Sequence, residues 1–116
     1  MPPKKMLIWV SSDPRVSPRP GEAVRIAAGV SAWKKVLVSL HFSGEAVRCL
    51  FEDAEELVNG ELFIQYLPLI AEQGGFLLVS SSSPLLDRIN PALKFETVEP
   101  KGLQERMSEQ DCSWRF

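Results

Sequence analysis

Histidine is almost absent from this chain: among 116 residues only His41 carries an imidazole, beside two cysteines, Cys49 and Cys112. That set cannot supply the four nitrogen and sulfur ligands of an ordinary zinc site. Two lone thiols do not build the disulfide framework of a small secreted scaffold either. The composition therefore implies no metal, no cofactor and a reduced, cytoplasmic setting. Long apolar runs are also missing. The stretch nearest the N-terminus, Met6 to Val10, is too short for a signal-peptide core or a membrane span. Charge of one sign is lacking as well: 13 Lys and Arg stand against 15 Asp and Glu, a net charge of −2. No overall footprint for nucleic acid or an anionic membrane results, and any anion site has to be local. The three tryptophans are scattered along the chain and make no stacking platform for bases.

What is present suits one domain over residues 1–116, long enough to bury a core without staples. Apolar runs of strand length recur at residues 6–10, 36–42, 76–79 and 112–116, with a weaker one at 93–98, and helix-patterned stretches lie between them. The run FLLV at 76–79 is apolar at every position, as an interior parallel strand covered on both faces requires. Such alternation predicts an α/β fold: a three-layer sandwich of about five mainly parallel strands with helices on both faces.

The first helix is expected over 21–33, with Ala23, Ile26, Ala27, Val30 and Trp33 on its inward stripe and Pro18 and Pro20 holding the chain out of helix before it. A second is expected over 45–58, with Val47, Leu50, Phe51, Ala54, Leu57 and Val58 inward and Asn59-Gly60 as its stop. A third, over 61–73, carries Pro68 at its middle, which either kinks it or restarts it. One or two turns at 84–89 and a helix at 101–109 complete the set. In the closing CSWRF, alternation places Cys112, Trp114 and Phe116 on one face. GEAVR occurs at 21–25 and again at 44–48, which marks two helix starts rather than a repeat, and the acidic EDAEE at 52–56 suits a solvated face.

The order of strand, Pro-rich loop, helix, a strand ending in LHFSGEAV, then YLPLIAEQGGFLLVS and a terminal DCSWRF, resembles the DsrE/DsrF-like family. That family includes the DsrE, DsrF and DsrH proteins, the TusB, TusC and TusD subunits of a bacterial sulfur relay, and YchN-like proteins. The resemblance implies a five-stranded parallel sheet and assembly into homo-oligomers, or hetero-oligomers with related subunits. In active members it also implies persulfide transfer through a cysteine that follows the third strand. Here that place falls at Ser80 or Ser81. A hydroxyl can neither ionise near neutral pH nor carry a second sulfur. No GxSxG elbow surrounds the serines, and His41 is the sole imidazole that could serve as their base.

Three segments should meet at the carboxyl ends of the strands, where open parallel sheets bind ligands: SSDPRVSPRP, His41-Phe42-Ser43-Gly44 and SSSSP. Arg15, Arg19, His41, Ser80 and Ser81 are the candidate residues for a small phosphate- or carboxylate-bearing metabolite, and Ser83 before Pro84 is a candidate helix cap. For a relocated persulfide, Cys49 is expected on the exposed side of the second helix among Glu45 and Glu52, and Cys112 is expected to be buried. Three readings stand: a non-catalytic oligomeric scaffold or ligand-binding subunit, a sulfurtransferase using Cys49 or Cys112, and a binder of a small anionic metabolite.

Overall fold

The computed structural model describes residues 4–116, and the three residues before Lys4 lie outside this account. Strand β1 (Lys4–Val10), helix α1 (Arg19–Ala32), strand β2 (Val36–Phe42), helix α2 (Gly60–Glu72), strand β3 (Phe76–Ser80), strand β4 (Glu96–Val98), helix α3 (Pro100–Ser108) and strand β5 (Cys112–Arg115) follow in order. The five strands form one sheet, ordered β4-β3-β2-β1-β5, in which every pairing is parallel. The centre of the sheet is β2, with β3 one place in from the edge.

From β1 to β4 the chain steps steadily across the sheet, and α3 then carries it back to lay β5 beside β1. Right-handed crossovers put connections that step in opposite directions on opposite faces. Accordingly α1 and α2 share one face. There Ala23, Val24, Ala27, Phe63, Leu67 and Ile70 pack on Ile8, Val10, Leu40, Phe42, Leu77 and Val79, the main core. The alternate residues of the same strands, Leu7, His41 and Leu78, are buried on the second face. Its cover is α3, whose single buried side chain is Leu103. Arg106 of α3 reaches over the Phe76 ring at 5.5 Å and pairs with Glu96 at 2.8 Å.

The first helix starts at Arg19, two residues ahead of the expected Gly21, because Pro20 in the opening turn has no N–H to leave unpaired. Its sheet-facing row is built of small residues, Ala23, Ala27, Ala28 and Ser31, which bring the helix close to the sheet. Ile26 and Trp33, expected inward, instead lie exposed on its flank. Helix α2 runs through Pro68 without interruption. The lost bond is to the carbonyl of Ile64, and Pro68 and Ile64 both lie on the exposed side.

The expected helix over 45–58 does not form. Two 3₁₀ segments, Gly44–Leu50 and Ala54–Glu56, take its place, separated by Phe51 in an extended conformation with ψ 157°. At about three residues per turn, positions i and i+3 eclipse, so Ala46 and Cys49 turn inward together, as do Val47 and Leu50. Residues 84–89 supply only one 3₁₀ turn, Leu86–Arg88. From the weak run at 93–98 only Glu96–Val98 pairs as strand.

Candidate functional site

The serine run closes on itself at the end of β3. Ser80 Oγ and Ser82 Oγ are 2.9 Å apart, the Ser81 amide donates to the Val98 carbonyl at 2.9 Å, and the Ser83 amide donates to the Ser80 carbonyl at 3.1 Å. Ser83 Oγ accepts the Leu85 amide at 3.2 Å, a local turn bond within the chain that precedes the 3₁₀ turn. The amides of Ser81 and Ser83 are thus engaged within the protein.

Arg15 is held by its own loop. Its Nε and Nη2 donate to Asp13, the shortest contact at 2.8 Å, and Glu45 lies 3.5 Å from Nη2. The hydrogen bond from Arg15 holds the Asp13 carboxyl below its ordinary range, and the same contact raises the guanidinium. Arg19 turns the other way, toward the sheet edge, where Nη2 donates to the Arg115 carbonyl at 3.4 Å. His41 lies on the second face of the sheet, 2% exposed, its ring edge-on to Trp9 with centroids 5.0 Å apart. Neither ring nitrogen has a hydrogen-bond partner among the described residues. Burial lowers its pKa and keeps the imidazole neutral. Trp9 in turn donates from Nε1 to Ser43 Oγ at 2.9 Å and carries the Arg115 guanidinium 5.0 Å from its ring centroid. No hydrogen bond or ion pair among the described residues joins Arg15, Arg19, His41, Ser80 and Ser81 to one another.

The two thiols exchange the environments expected of them. Cys49 is 1% exposed, and burial pushes its thiol far above the ordinary range, with the Asp13 carboxylate acting in the same direction. Cys112 is exposed. Alternation does set it on the α1 side of the sheet with Trp114, through the pairs Met6 with Cys112 and Ile8 with Trp114. However, α1 packs over β1 and β2 and leaves the edge strand uncovered.

Two further features escaped the sequence. Ile26, Val30 and Trp33 repeat at helical spacing on the flank of α1 and border one surface groove. Arg19, about two turns before Ile26 on that flank, touches β5, so the flank lies on the side of the edge strand on which Trp114 stands. At the other end of the sheet's loops, Arg15, Arg48 and Arg88 border a cleft of about 240 Å³ whose floor is the buried Phe51 ring. Only Arg15 was a sequence candidate. Arg48 and Arg88 each follow a different strand, and no local pattern marks them as neighbours.

Among the described residues no group of histidine, cysteine and carboxylate side chains is placed to hold a metal ion, and no helix is long and apolar enough to cross a membrane.

No family model matches the chain. No curated protein matches it in sequence. In fold it is similar to the YchN protein from E. coli, whose crystal structure superposes with a TM-score of 0.74 over 97% of this chain and 99% of that one, at 16% identity. The shared feature is the fold itself, a parallel α/β sheet of five strands with helices on both faces.

Proposed function

We propose that this chain, built on the fold of YchN, is a non-catalytic cytoplasmic subunit of the DsrE/DsrF-like kind that works by assembling with copies of itself or with related chains of a sulfur relay. The observation that carries the reading is the apolar face between α1 and the edge of the sheet. Trp33 is 71% exposed, with Ile26 on the same flank of α1, and Trp114 is 55% exposed on β5. All residues of β5 are exposed, and the outer backbone groups of this edge strand pair with nothing in the sheet. An edge of that kind is a template for another chain unless it is blocked, and exposed tryptophans are enriched at interface centres. The non-catalytic part rests on Ser80 and Ser81 at the end of β3, where the resemblance would place a sulfur-carrying cysteine, and on the burial of Cys49.

Size-exclusion chromatography with light scattering tests the assembly. A mass of two or more chains is expected, falling toward one chain in Trp33→Glu and Trp114→Glu. A single-chain mass at every concentration, with no partner retained from cells, would overturn it.

The exposure of Cys112 supports one second reading, a sulfur carrier at the sheet edge. In that reading the Cys112 thiolate takes the outer sulfur of a donor persulfide and releases the donor as a thiolate, with no net oxidation. Incubation of the reduced protein with a small-molecule persulfide, followed by intact mass measurement, is decisive. A gain of one sulfur that vanishes in Cys112→Ser supports the carrier, and no gain removes it.

A further inference from the structure

The cleft over Phe51 is a second place where this chain presents chemistry. Arg15 lies in the loop after β1, Arg48 in the segment after β2 and Arg88 in the segment after β3, so the cleft gathers the carboxyl ends of three adjacent strands, the position where open parallel sheets receive ligands. The floor is apolar and fixed. Phe51 is buried, and the guanidinium carbons of Arg88 and Arg48 lie 4.7 and 5.8 Å from its ring centroid. Stacking on a buried ring orients a guanidinium plane and leaves its edge free for hydrogen bonding.

The three cations are not equally engaged. Arg15 is neutralised by Asp13 and Glu45, and Arg48 by Glu45. Among the described residues the Arg88 side chain has no ion-pair partner and donates no hydrogen bond. Two carboxylates on the same cleft, Asp53 and Glu56, likewise have no ion-pair partner among the described residues. The rim therefore offers one uncommitted planar fork and two uncommitted carboxylates. Counted with Asp13 and Glu45, it holds three guanidiniums against four carboxylates, a balance that repels a phosphate dianion. Its volume of about 240 Å³ suits a small ligand.

We propose that this cleft binds a small zwitterion of the α-amino acid class, the carboxylate received by the fork of Arg88, the ammonium by Asp53 and Glu56, and the side chain resting against Phe51 and Leu57. A guanidinium fork matches a carboxylate with two parallel charge-assisted bonds. The site shares no residue with the α1–β5 face, so it stands whether or not the chain assembles.

Isothermal titration of the intact protein with each proteinogenic L-amino acid, with the corresponding des-amino carboxylic acids and with inorganic phosphate tests the assignment. At least one amino acid is expected to bind saturably with a Kd of about 1 mM or tighter, and its des-amino acid at least about tenfold more weakly. Arg88→Lys, which keeps the charge and loses the fork, should weaken binding by a similar factor. The double variant Asp53→Asn with Glu56→Gln should bring the amino acid down to the level of its des-amino acid. Thermal melts of each variant separate lost binding from lost folding, and the wild-type ligand series needs no variant. Binding by no amino acid, phosphate binding as tight as the best amino acid, or unchanged affinity in a folded Arg88→Lys would each sink the proposal.

Discussion

Cys112 stands on an open strand edge and Cys49 on the buried side of a 3₁₀ segment, and that difference sets what a thiol reagent finds. Thiolate is the reactive form, and burial of Cys49 suppresses it. Native protein treated with iodoacetamide at about pH 8 should take up one label, at Cys112, and a second only in denaturant; peptide mapping checks the assignment. His41 gives a second expectation. Its folded pKa lies below the ordinary value of 6.5 because burial disfavours the cation. As pH falls through about 6.5 the unfolded chain binds a proton that the folded chain resists, so stability declines on acidification. Urea midpoints at about pH 7.5 and 5.5 should differ in the wild type and converge in His41→Leu. Asp13 acts in a separate, lower window: its stabilising pair with Arg15 is fully present above the ordinary carboxyl value of 3.8 and lost as pH falls through its lowered folded value. Sequence spacing sets His41 near the carboxyl end of the second strand, and the structure has it one residue from the end of β2. Its burial under Trp9 depended on a cross-strand register that no local pattern encodes.

The places of the strands and of the three α-helices follow from hydrophobic spacing, although the inward face of α1 does not, and the expected helix that fails to form shows why. A pattern such as Ala46, Val47, Leu50, Phe51, Ala54 satisfies a 3.6-residue repeat and a three-residue repeat almost equally over so short a span. The choice between them moves Cys49 from the outside to the inside, so the thiol's role was unreadable before the backbone was known. Gly60 is part of what makes the tight alternative work. A Cβ at that position would lie 2.3 Å from the Ala54 carbonyl oxygen and 2.4 Å from that of Glu55, both backbone atoms that cannot swing away. Gly60→Ala is therefore expected to destabilise the protein by about 1–3 kcal/mol or more, measured by urea denaturation. In the same assay Gly29→Ala, whose added carbon meets nothing within 4 Å, should be neutral or stabilising.

At the scale of the whole molecule the two faces of the sheet are unequal. The α1–α2 face holds the main core, whereas α3 docks by Leu103, the Glu96 ion pair and the stacking of Arg106 on Phe76. Segments with few buried apolar contacts open at lower free energy than the core. Hydrogen exchange should show α3 amides exchanging ahead of those of β2 and α1, and Leu103→Ala should speed α3 further while leaving α1 unchanged. The three-layer architecture was legible because strands and helices alternate. The unevenness of its layers was not, since it depends on how few residues of the last helix point inward. The strand order has a consequence in time. β1 meets β2 across a single helix, but its other neighbour arrives from far along the chain: the Lys5 amide bonds Asp111, 106 residues away. Pairings that close so long a loop form late. A partly made or partly folded chain therefore carries β1 as a bare, apolar margin, and its lifetime in that condition is the interval in which it is most prone to join the wrong neighbour.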